Sequence, residues 1–317
     1  MSSAVVVIDV QNCFLPGGPL ATANERNSTF PPSTLATSIG KFIDEKKPTT
    51  VFITQDWHPE GHASFARSNK GEIPVTTLPL NTPGIRVRSG EYVISTNKNY
   101  IRYWGSDEER GSQKLWPKHC VQGTDDAKLV PQLETYLQNK SNVQYIYKGD
   151  EPTVDSYSAV ANALGIDTPH TKDGKSFLKI LKESRLKEIY LTGIARDVCV
   201  YWSAMDMLNY WILPEFIKGN VIKLYFVYDL TRPVYGSLPA FNKTKEEIQI
   251  AVLDLITNMN ILEPENVCNQ VFEIIDFGKY SGGRRSTRKA RKSKNKKAKK
   301  TRKNHVHNRN CKKSCRR

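Results

Sequence analysis

The sequence predicts an α/β fold, a three-layer sandwich in which helices flank a mostly parallel central sheet. Two observations indicate this class. Short runs of β-branched and aromatic residues recur along the chain and alternate with segments whose apolar residues follow helical spacing. The first run, residues 4–10 (AVVVIDV), is almost wholly apolar, which is typical of a central parallel strand covered on both faces. At 317 residues and 38% hydrophobic content, the chain can bury a large core.

The predicted elements alternate in order. Strands are predicted at residues 4–10, 49–55, 142–148, 189–192 and 221–228, and helices at 33–46, 126–138, 176–184, after Gly193 and from Thr244. The last helix begins with a capping box, because Glu247 follows Thr244 by three residues. Residues 67–114 are polar and rich in Gly and Pro, with a candidate short strand at 91–95, and so long a segment indicates a lid or an insertion that controls access. Residues 211–219 are expected to form a loop insertion.

The charge is distributed unevenly along the chain. The net charge is +15, but residues 279–317 hold 19 Lys and Arg and no acid. The other 278 residues hold 28 basic and 32 acidic side chains, a net charge of −4. We therefore predict a mildly acidic globular domain at residues 1–278 and a basic tail at 279–317, which has too few apolar residues to build a core and is expected to be disordered.

The basic tail indicates a polyanionic partner. Basic runs of this kind bind nucleic acid or other polyanions without sequence preference, or serve as nuclear localisation signals, and here residues 284–317 would do so. The alternative is a solvated tail with no dedicated partner. A zinc site could also be built there, in the order HxHx3Cx3C, but this spacing is not a standard one. The sequence is also compatible with a homo-oligomer.

Cysteine usage and hydropathy favour an intracellular protein, cytoplasmic or nuclear. The six cysteines show no spacing typical of a disulfide framework, so a reducing compartment is expected. The N-terminal segment lacks the basic start of a secretory signal, and its apolar run ends at a carboxylate, Asp9. No stretch approaches about 18 apolar residues, so neither a membrane span nor a membrane partner is expected.

Cys199 is the candidate nucleophile. The strand at residues 189–192 ends at Gly193, and Cys199, Ala204 and Met207 follow on one face at helical spacing. A cysteine in the first turn of a helix gains partial positive charge, which is expected to lower its thiol pKa from about 8.5 into the range of roughly 3.5–7.5. The alternative is a small buried cysteine that packs the helix against the sheet.

Two charged residues are expected near this cysteine. Asp9 lies near the carboxyl end of the first strand, and Lys148 closes the apolar strand at 142–148. In open α/β sheets, the carboxyl edge is where ligands bind, so both side chains and Cys199 should meet there. Asp9 could instead cap the following loop, and Lys148 could reach the surface along its alkyl stem.

A group of histidines and one aspartate indicates a metal site. Asp56 and His58 lie two residues apart at the end of the second strand, and His119 could complete the set. Carboxylate and imidazole ligands suit zinc, iron or manganese. For His62, direct ligation and a role in fixing the loop are equally compatible with the sequence. Trp116 could form a wall for an aromatic substrate or pack in the core.

Six segments, taken in order, resemble the nicotinamidases of the isochorismatase-like cysteine hydrolase superfamily. They are VVVIDVQNCF (5–14), TQDWHPEGHASFA (54–66), LWPKHCVQGT (115–124), YKGDEPTVDSYSA (147–159), LTGIARDVCV (191–200) and YDLTRPV (228–234). The resemblance covers most of residues 4–260. It implies hydrolysis of nicotinamide to nicotinate and ammonia in NAD salvage, an amidohydrolase reaction on a linear carboxamide.

The resemblance also implies catalytic roles. The Cys-Asp-Lys set of the family falls on Cys199, Asp9 and Lys148. Cys199 would attack the carboxamide carbon to form a thioester, Asp9 would move the proton, and Lys148 would hold the Asp9 carboxylate ionised and aimed. The oxyanion would be held by backbone N–H groups at Ala195 and Cys199, with a cis peptide before Ala195.

The metal and the substrate pocket follow from the same resemblance. One divalent ion, zinc in the first place with iron or manganese as alternatives, would be held by Asp56, His58 and His119 and would receive the pyridine nitrogen. The family's aromatic walls fall on Phe14 and Trp116, and Tyr157 is expected to line the pocket.

The sequence departs from the family pattern at Arg196 and Val198, where Thr or Glu and Tyr are more usual, as well as in the insertion at 211–220 and in the tail. Two alternative functions are open at this point. One is a related cysteine amidohydrolase that acts on another small amide. The other is a nucleic-acid-associated protein whose catalytic core is vestigial.

Overall fold

In the computed structural model, the described residues are 2–21, 32–65, 77–79, 112–114, 116–233 and 243–280. The strands are β1 (Ser3–Ile8), β2 (Thr50–Asp56), β3 (Thr77–Pro79), β4 (Ser112–Lys114), β5 (Val143–Lys148), β6 (Glu188–Ile194), β7 (Lys223–Arg232) and β8 (Phe272–Ile275). The α-helices are α1 (Pro32–Lys46), α2 (Pro131–Leu137), α3 (Phe177–Glu183), α4 (Tyr201–Met207), α5 (Leu213–Ile217), α6 (Lys245–Asn258), α7 (Pro264–Val271) and α8 (Phe277–Tyr280). Short 3-10 turns lie at Asn12–Phe14 and Asp125–Ala127, and π-helical turns at Arg196–Val200 and Leu208–Ile212.

Six strands form one sheet in the order β5-β2-β1-β6-β7-β8, and all neighbouring pairs are parallel. β1 is a central strand, and Val5 pairs with Val51 on one side and with Tyr190 on the other. Every residue of β1 is buried, because its six residues are small or apolar and helices cover both faces. The predicted α/β class with a parallel sheet is confirmed. β3 and β4 form a separate antiparallel pair.

The predicted capping box is confirmed at the start of α6. Thr244 Oγ1 accepts the Glu247 N–H at 3.1 Å, and the Glu247 carboxylate accepts the Thr244 N–H at 2.8 Å. Two N–H groups that have no partner within the helix are thereby satisfied. This fixes the start of the helix that packs beside β8 and α7.

Two predicted elements differ from the structure. The helix predicted at 126–138 is interrupted: a 3-10 turn comes first, Val130 is extended, and α2 begins only at Pro131. The interruption arises because the residue before a proline is disfavoured in helical conformation. The loop predicted at 211–219 is wrong: its first part is helical and buries Trp211, and α5 accommodates Pro214 in its first turn. Sequence reasoning also missed α7 and β8, which add the edge strand to the sheet.

A disulfide joins Cys13 and Cys120, which are 107 residues apart in sequence. The cysteine spacing indicated no disulfide framework, so this pair was not predicted. Their spacing carried no signal, because the fold alone brings the segment after β1 next to the segment after His119. Among the described residues, Cys199 and Cys268 are the free cysteines.

Several predictions concern residues that are not described. The candidate strand at 91–95, most of the 67–114 segment and all but the first two residues of the basic tail lie outside the described residues, so the lid, the domain boundary at residue 278 and the disorder of the tail stay predictions. Among the described residues, every helix is too short or too polar to traverse a lipid bilayer.

Candidate active site

Four neighbouring strands bring the predicted charged residues and the cysteine to one edge of the sheet. Asp9 follows β1, Asp56 ends β2, Lys148 ends β5, and Cys199 follows β6. In the sheet these strands lie side by side in the order β5-β2-β1-β6, and Asp56 is the register partner of Lys148. The carboxyl edge therefore gathers side chains from four distant parts of the sequence, as parallel α/β sheets do.

The Lys148 ammonium is the centre of this cluster. Its Nζ lies 2.9 Å from Asp9 Oδ2, 2.9 Å from Asp56 Oδ1 and 3.6 Å from Cys199 Sγ, and it donates to the Ser156 carbonyl at 3.0 Å. The residue is only 1% exposed. Burial by itself would lower the pKa of Lys148, but the carboxylates of Asp56 and Asp9 outweigh it and hold that pKa well above its usual value. Lys148 is therefore a fixed positive charge beside the thiol.

Asp9 is fully buried, and its two oxygens have different surroundings. Oδ1 accepts the Thr54 hydroxyl at 2.6 Å, whereas Oδ2 faces Lys148. Apart from that ion pair, Oδ2 has no hydrogen-bond partner among the described residues. Burial raises the pKa of Asp9, and Lys148 opposes this rise. A carboxylate whose proton affinity is raised and which has one open oxygen is suited to take up a proton.

Asp9 also has an unusual backbone conformation. Its φ of 49° lies in the left-handed region, which aspartate tolerates better than most residues. The chain turns there out of β1 and into the 3-10 turn at Asn12–Phe14, which carries an aromatic pocket residue.

Cys199 lies in the turn Arg196–Val200 that leads from β6 into α4, so it is in the first turn of a helix as predicted, although that turn is π-helical and not α-helical. The expected direction of its pKa shift is wrong. Burial raises the pKa of the Cys199 thiol well above its usual value; Lys148 opposes this rise, and the Asp9 and Asp56 carboxylates add to it. A buried thiol beside two carboxylates retains its proton, so a neighbouring base has to remove it. A cis peptide precedes Ala195, as the resemblance implied.

Asp56, His58 and His119 form a compact ligand group. Nε2 of His58 lies 3.0 Å and Nε2 of His119 lies 3.3 Å from Asp56 Oδ2. Ligands at about 2.1 Å from one metal ion lie roughly 3.0–3.4 Å from each other, so these separations fit a shared ion. Although burial favours the neutral acid, His58 and Lys148 hold the pKa of Asp56 well below its usual range. The group thus offers one carboxylate oxygen and two imidazole nitrogens.

The other nitrogen of each ring is fixed by the main chain. Nδ1 of His58 lies 2.7 Å from the Gly149 carbonyl, and Nδ1 of His119 lies 2.7 Å from the Pro117 carbonyl. A carbonyl only accepts, so each Nδ1 carries a proton, and each Nε2 faces Asp56 Oδ2 and can present its lone pair to a metal ion once it holds no proton itself. This is the arrangement in which histidine binds metals in proteins. The residues present therefore fit a divalent ion.

His62 lies beside this group and does not share Asp56 with it. Its Nδ1 is 2.7 Å from Ser64 Oγ, and its ring packs on that of His58 at 4.2 Å. Burial lowers the pKa of His62 well below its usual value, with the His58 charge as a further cause. With His58 and Asp155 it forms a second set of possible ligand atoms.

A small pocket opens onto both the thiol and the ligand group. Its lining includes Phe14, Trp116, Tyr157, Ala195, Leu20, Asp155 and Val198 together with Cys199, Asp56, His58 and His119. Trp116 Nε1 donates to the Tyr157 hydroxyl at 2.8 Å, and the rings meet edge to face. This bond fixes the aromatic wall.

The model of the Isochorismatase domain family matches residues 3–210. The chain belongs to this family. The nicotinamidase of Acinetobacter baylyi is 36% identical over 220 residues, which cover 68% of this chain and 81% of that protein. The nicotinamidase of Saccharomyces cerevisiae is 26% identical over 255 residues, or 80% of this chain and 98% of the relative.

Solved structures of isochorismatase-domain proteins share the fold. The nicotinamidase/pyrazinamidase of Acinetobacter baumanii matches with a TM-score of 0.54 at 28% identity, over 88% of this chain and 98% of the other. The yeast nicotinamidase bound to the inhibitor nicotinaldehyde matches with a TM-score of 0.58 at 23% identity, over 86% and 99%.

The two departures from the family pattern have different surroundings. Val198 lines the pocket, where it contributes an apolar surface next to the thiol. The Arg196 guanidinium lies over the Tyr228 ring at 4.1 Å, and burial lowers its pKa. Arg196 is not among the pocket-lining residues, so the larger change in the pocket comes from Val198.

Sequence reasoning missed several residues of the site. Leu20 lines the pocket without standing in a recognisable pattern, and Asp155, which stands in the matched segment 147–159, was given no role in the pocket. Thr54 and Gln11 are fully buried polar residues next to Asp9 and Asp56. A polar residue in an otherwise apolar strand, as in VFITQD, is the one signal that could have found Thr54.

Proposed function

We propose that this enzyme hydrolyses nicotinamide to nicotinate and ammonia in NAD salvage, with Cys199 as nucleophile. The observation that carries the proposal is the placement of one buried ammonium, Lys148, within 2.9 Å of Asp9 and 3.6 Å of Cys199 beside a small aromatic pocket. The curated relatives of the chain that are nicotinamidases support the choice of amide. A complete set of catalytic groups argues against a vestigial core.

The reaction begins with proton transfer from the Cys199 thiol to Asp9 Oδ2. The sulfur then attacks the carboxamide carbon, and the negative charge that develops on the carbonyl oxygen is held by the N–H groups of Ala195 and Cys199. Loss of one such donor typically lowers the rate by about 10²–10³. Lys148 stabilises the carboxylate before the transfer and the thiolate during it, because its ammonium faces both groups.

The thioester forms when the carbon–nitrogen bond breaks and Asp9 gives its proton to the departing ammonia. A water molecule then loses a proton to Asp9 and attacks the thioester carbon. The carbon–sulfur bond breaks, nicotinic acid leaves and releases its carboxyl proton to solvent to give nicotinate, and the proton on Asp9 returns to the Cys199 sulfur, so that the site is restored.

A divalent ion bound by Asp56, His58 and His119, zinc in the first place with iron or manganese as alternatives, would supply a Lewis-acid site for the pyridine nitrogen. Phe14 and Trp116 would hold the ring between them, and Tyr157 would keep Trp116 in place. The metal content of a His62→Ala variant, compared with that of wild type, tests whether His62 is a further ligand or a support for His58.

Ammonia release from nicotinamide tests the activity. Wild-type protein is expected to release ammonia, and Cys199→Ala is expected to reduce the rate to background. Cys268→Ala is the matched control, because Cys268 is also a free buried cysteine but lies on α7, outside the pocket lining. Equal activity in Cys199→Ala and wild type would refute the mechanism.

Benzamide separates nicotinamide from the alternative substrate class, a different small amide. It carries the same carboxamide on a ring without the nitrogen, so the metal-loaded enzyme should strongly prefer nicotinamide. A chelator should raise the KM for nicotinamide and reduce that preference, since the ring nitrogen then has no partner. Equal turnover of both amides with metal bound would favour the alternative.

We also propose that residues 284–317 bind nucleic acid or another polyanion, on the strength of their charge. The full chain should bind a random duplex with an affinity that falls steeply with salt, and a chain ending at residue 280 should not. Unchanged affinity after truncation would remove the tail from this role. A fluorescent fusion with and without the tail tests cytoplasmic against nuclear location, and light scattering tests assembly into a homo-oligomer.

A further inference from the structure

We propose that Thr54 is a positioning residue, which selects the oxygen of Asp9 that exchanges protons with Cys199. The inference rests on the proposed function, because it assigns Asp9 as the proton acceptor. Thr54 would act through Asp9 and would touch neither the substrate nor the metal.

Thr54 holds Asp9 through both its side chain and its main chain. The residue is fully buried on β2, opposite the point where the chain leaves β1. Its Oγ1 lies 2.6 Å from Asp9 Oδ1 and 3.1 Å from the Asp9 backbone nitrogen. The Thr54 carbonyl accepts the same Asp9 N–H at 3.3 Å. The hydroxyl is therefore clamped between the carboxylate and the amide of one residue.

The direction of these hydrogen bonds follows from their chemistry. A backbone N–H can only donate, so Thr54 Oγ1 must accept from Asp9 and use its single proton for Asp9 Oδ1. A carboxylate oxygen that already accepts a hydrogen bond from a hydroxyl is less basic, so Asp9 Oδ1 is the less favourable oxygen for protonation. Asp9 Oδ2, by contrast, has the Lys148 ion pair and no other hydrogen-bond partner among the described residues. Proton exchange is thereby directed to Oδ2.

The same bond prevents the carboxylate from rotating. Asp9 lies after the last residue of β1 at a backbone position with positive φ, and its backbone hydrogen bond to β2 fixes the main chain but not the rotation of the carboxylate. The charge of Lys148 attracts either oxygen equally well, because an ammonium carries no directional preference between them. Thr54 therefore supplies the geometric selectivity that Lys148 cannot supply.

A pair of substitutions isolates the hydroxyl. Thr54→Val keeps the shape but removes the hydroxyl, and Thr54→Ser keeps the hydroxyl but removes the methyl. Thr54→Val should lower kcat roughly 10- to 100-fold, the rate equivalent of a hydrogen bond to a charged group. Its KM and bound metal should stay unchanged, because Thr54 neither lines the pocket nor belongs to the ligand group. Thr54→Ser should stay within a few fold of wild type.

Three results would overturn the inference. They are an unchanged kcat in Thr54→Val, an equal loss in Thr54→Ser, or a parallel loss of metal and rise in KM. If Thr54→Val does not fold, Thr54→Ala replaces it, because Ser and Ala differ only by the hydroxyl and both lack the methyl.

A second readout separates this inference from the choice of substrate. The rate at which iodoacetamide alkylates Cys199, followed on its peptide by mass spectrometry, needs no amide substrate. It should fall in Thr54→Val and recover in Thr54→Ser even if nicotinamide is not hydrolysed. If wild type releases ammonia and alkylation is equal in all variants, the proposed function stands and the role of Thr54 is refuted.

Discussion

Replacing Lys148 by methionine tests the buried ion cluster most directly. Methionine keeps an unbranched side chain of similar length and removes the ammonium, which leaves two carboxylates, Asp9 and Asp56, buried without their shared cation. Removing one partner from a buried ion pair typically lowers the free energy of unfolding by about 3–5 kcal/mol. We expect a loss in this range, together with a loss of ammonia release.

The pH dependence of this loss has a defined sign. The folded-state pKa of Lys148 lies above its unfolded value, so its stabilising contribution is complete below the unfolded pKa of about 10.4 and is lost as the pH rises through the folded pKa. The contribution of Lys148 to the free energy of unfolding should accordingly be constant between pH 6 and pH 8. Urea titrations of both proteins, followed by circular dichroism, measure it.

Lys245 provides the matched control. Its Nζ contacts both carboxylate oxygens of Asp276, at 2.7 and 2.6 Å, but the lysine side chain is 35% exposed. Exposed ion pairs contribute about 0–1 kcal/mol, so Lys245→Met should lose little stability and keep full activity. If Lys148→Met and Lys245→Met lost equal stability, or if Lys148→Met still released ammonia, the central role of the buried ammonium would be refuted.

Three further predictions concern structural contacts: the disulfide, the hydrogen bonds to the Asp56 main chain and the cap of α6. Cys13→Ser should lower the free energy of unfolding by up to about 4.8 kcal/mol, the chain-entropy value for the observed separation of 107 residues, and a urea midpoint that does not change with reductant would contradict this. The Gln11 side chain accepts the Asp56 N–H and donates to the Asp56 carbonyl, each at 2.8 Å, so Gln11→Leu should weaken metal retention roughly 10- to 100-fold. Metal analysis after dialysis measures this loss, and Gln11→Glu should restore it in part. Thr244→Ala should cost about 1 kcal/mol through loss of the cap of α6, and an unchanged melting temperature would contradict that.

The sequence predicted which residues meet at the edge of the sheet better than it predicted their pKa values. Asp9, Asp56 and Lys148 could be placed together because each follows an apolar run, and parallel strands present their carboxyl ends at one edge. The direction of the Cys199 pKa shift could not be predicted, because it depends on burial and on neighbours from other strands. A local rule about helix N-termini overlooked that environment.

Other features lay beyond sequence reasoning for a similar reason. Pro214 and Gly219 are loop signals in isolation, but the apolar residues before them, Trp211 among them, are buried and continue the helix. Cys13 and Cys120 become partners only once the segments after β1 and after His119 are folded next to each other. Tertiary contacts decided the structure in both cases.

Asp56 connects the two halves of the site. Its Oδ1 faces Lys148 and its Oδ2 faces the two histidines, so one carboxylate belongs both to the ion cluster around the thiol and to the ligand group. Among the described residues, neither His58 nor His119 forms a hydrogen bond or an ion pair with Lys148. The chemistry of the nucleophile and the retention of the ion are thus joined through one side chain at the end of β2, and Gln11 fixes the main chain of that residue in place.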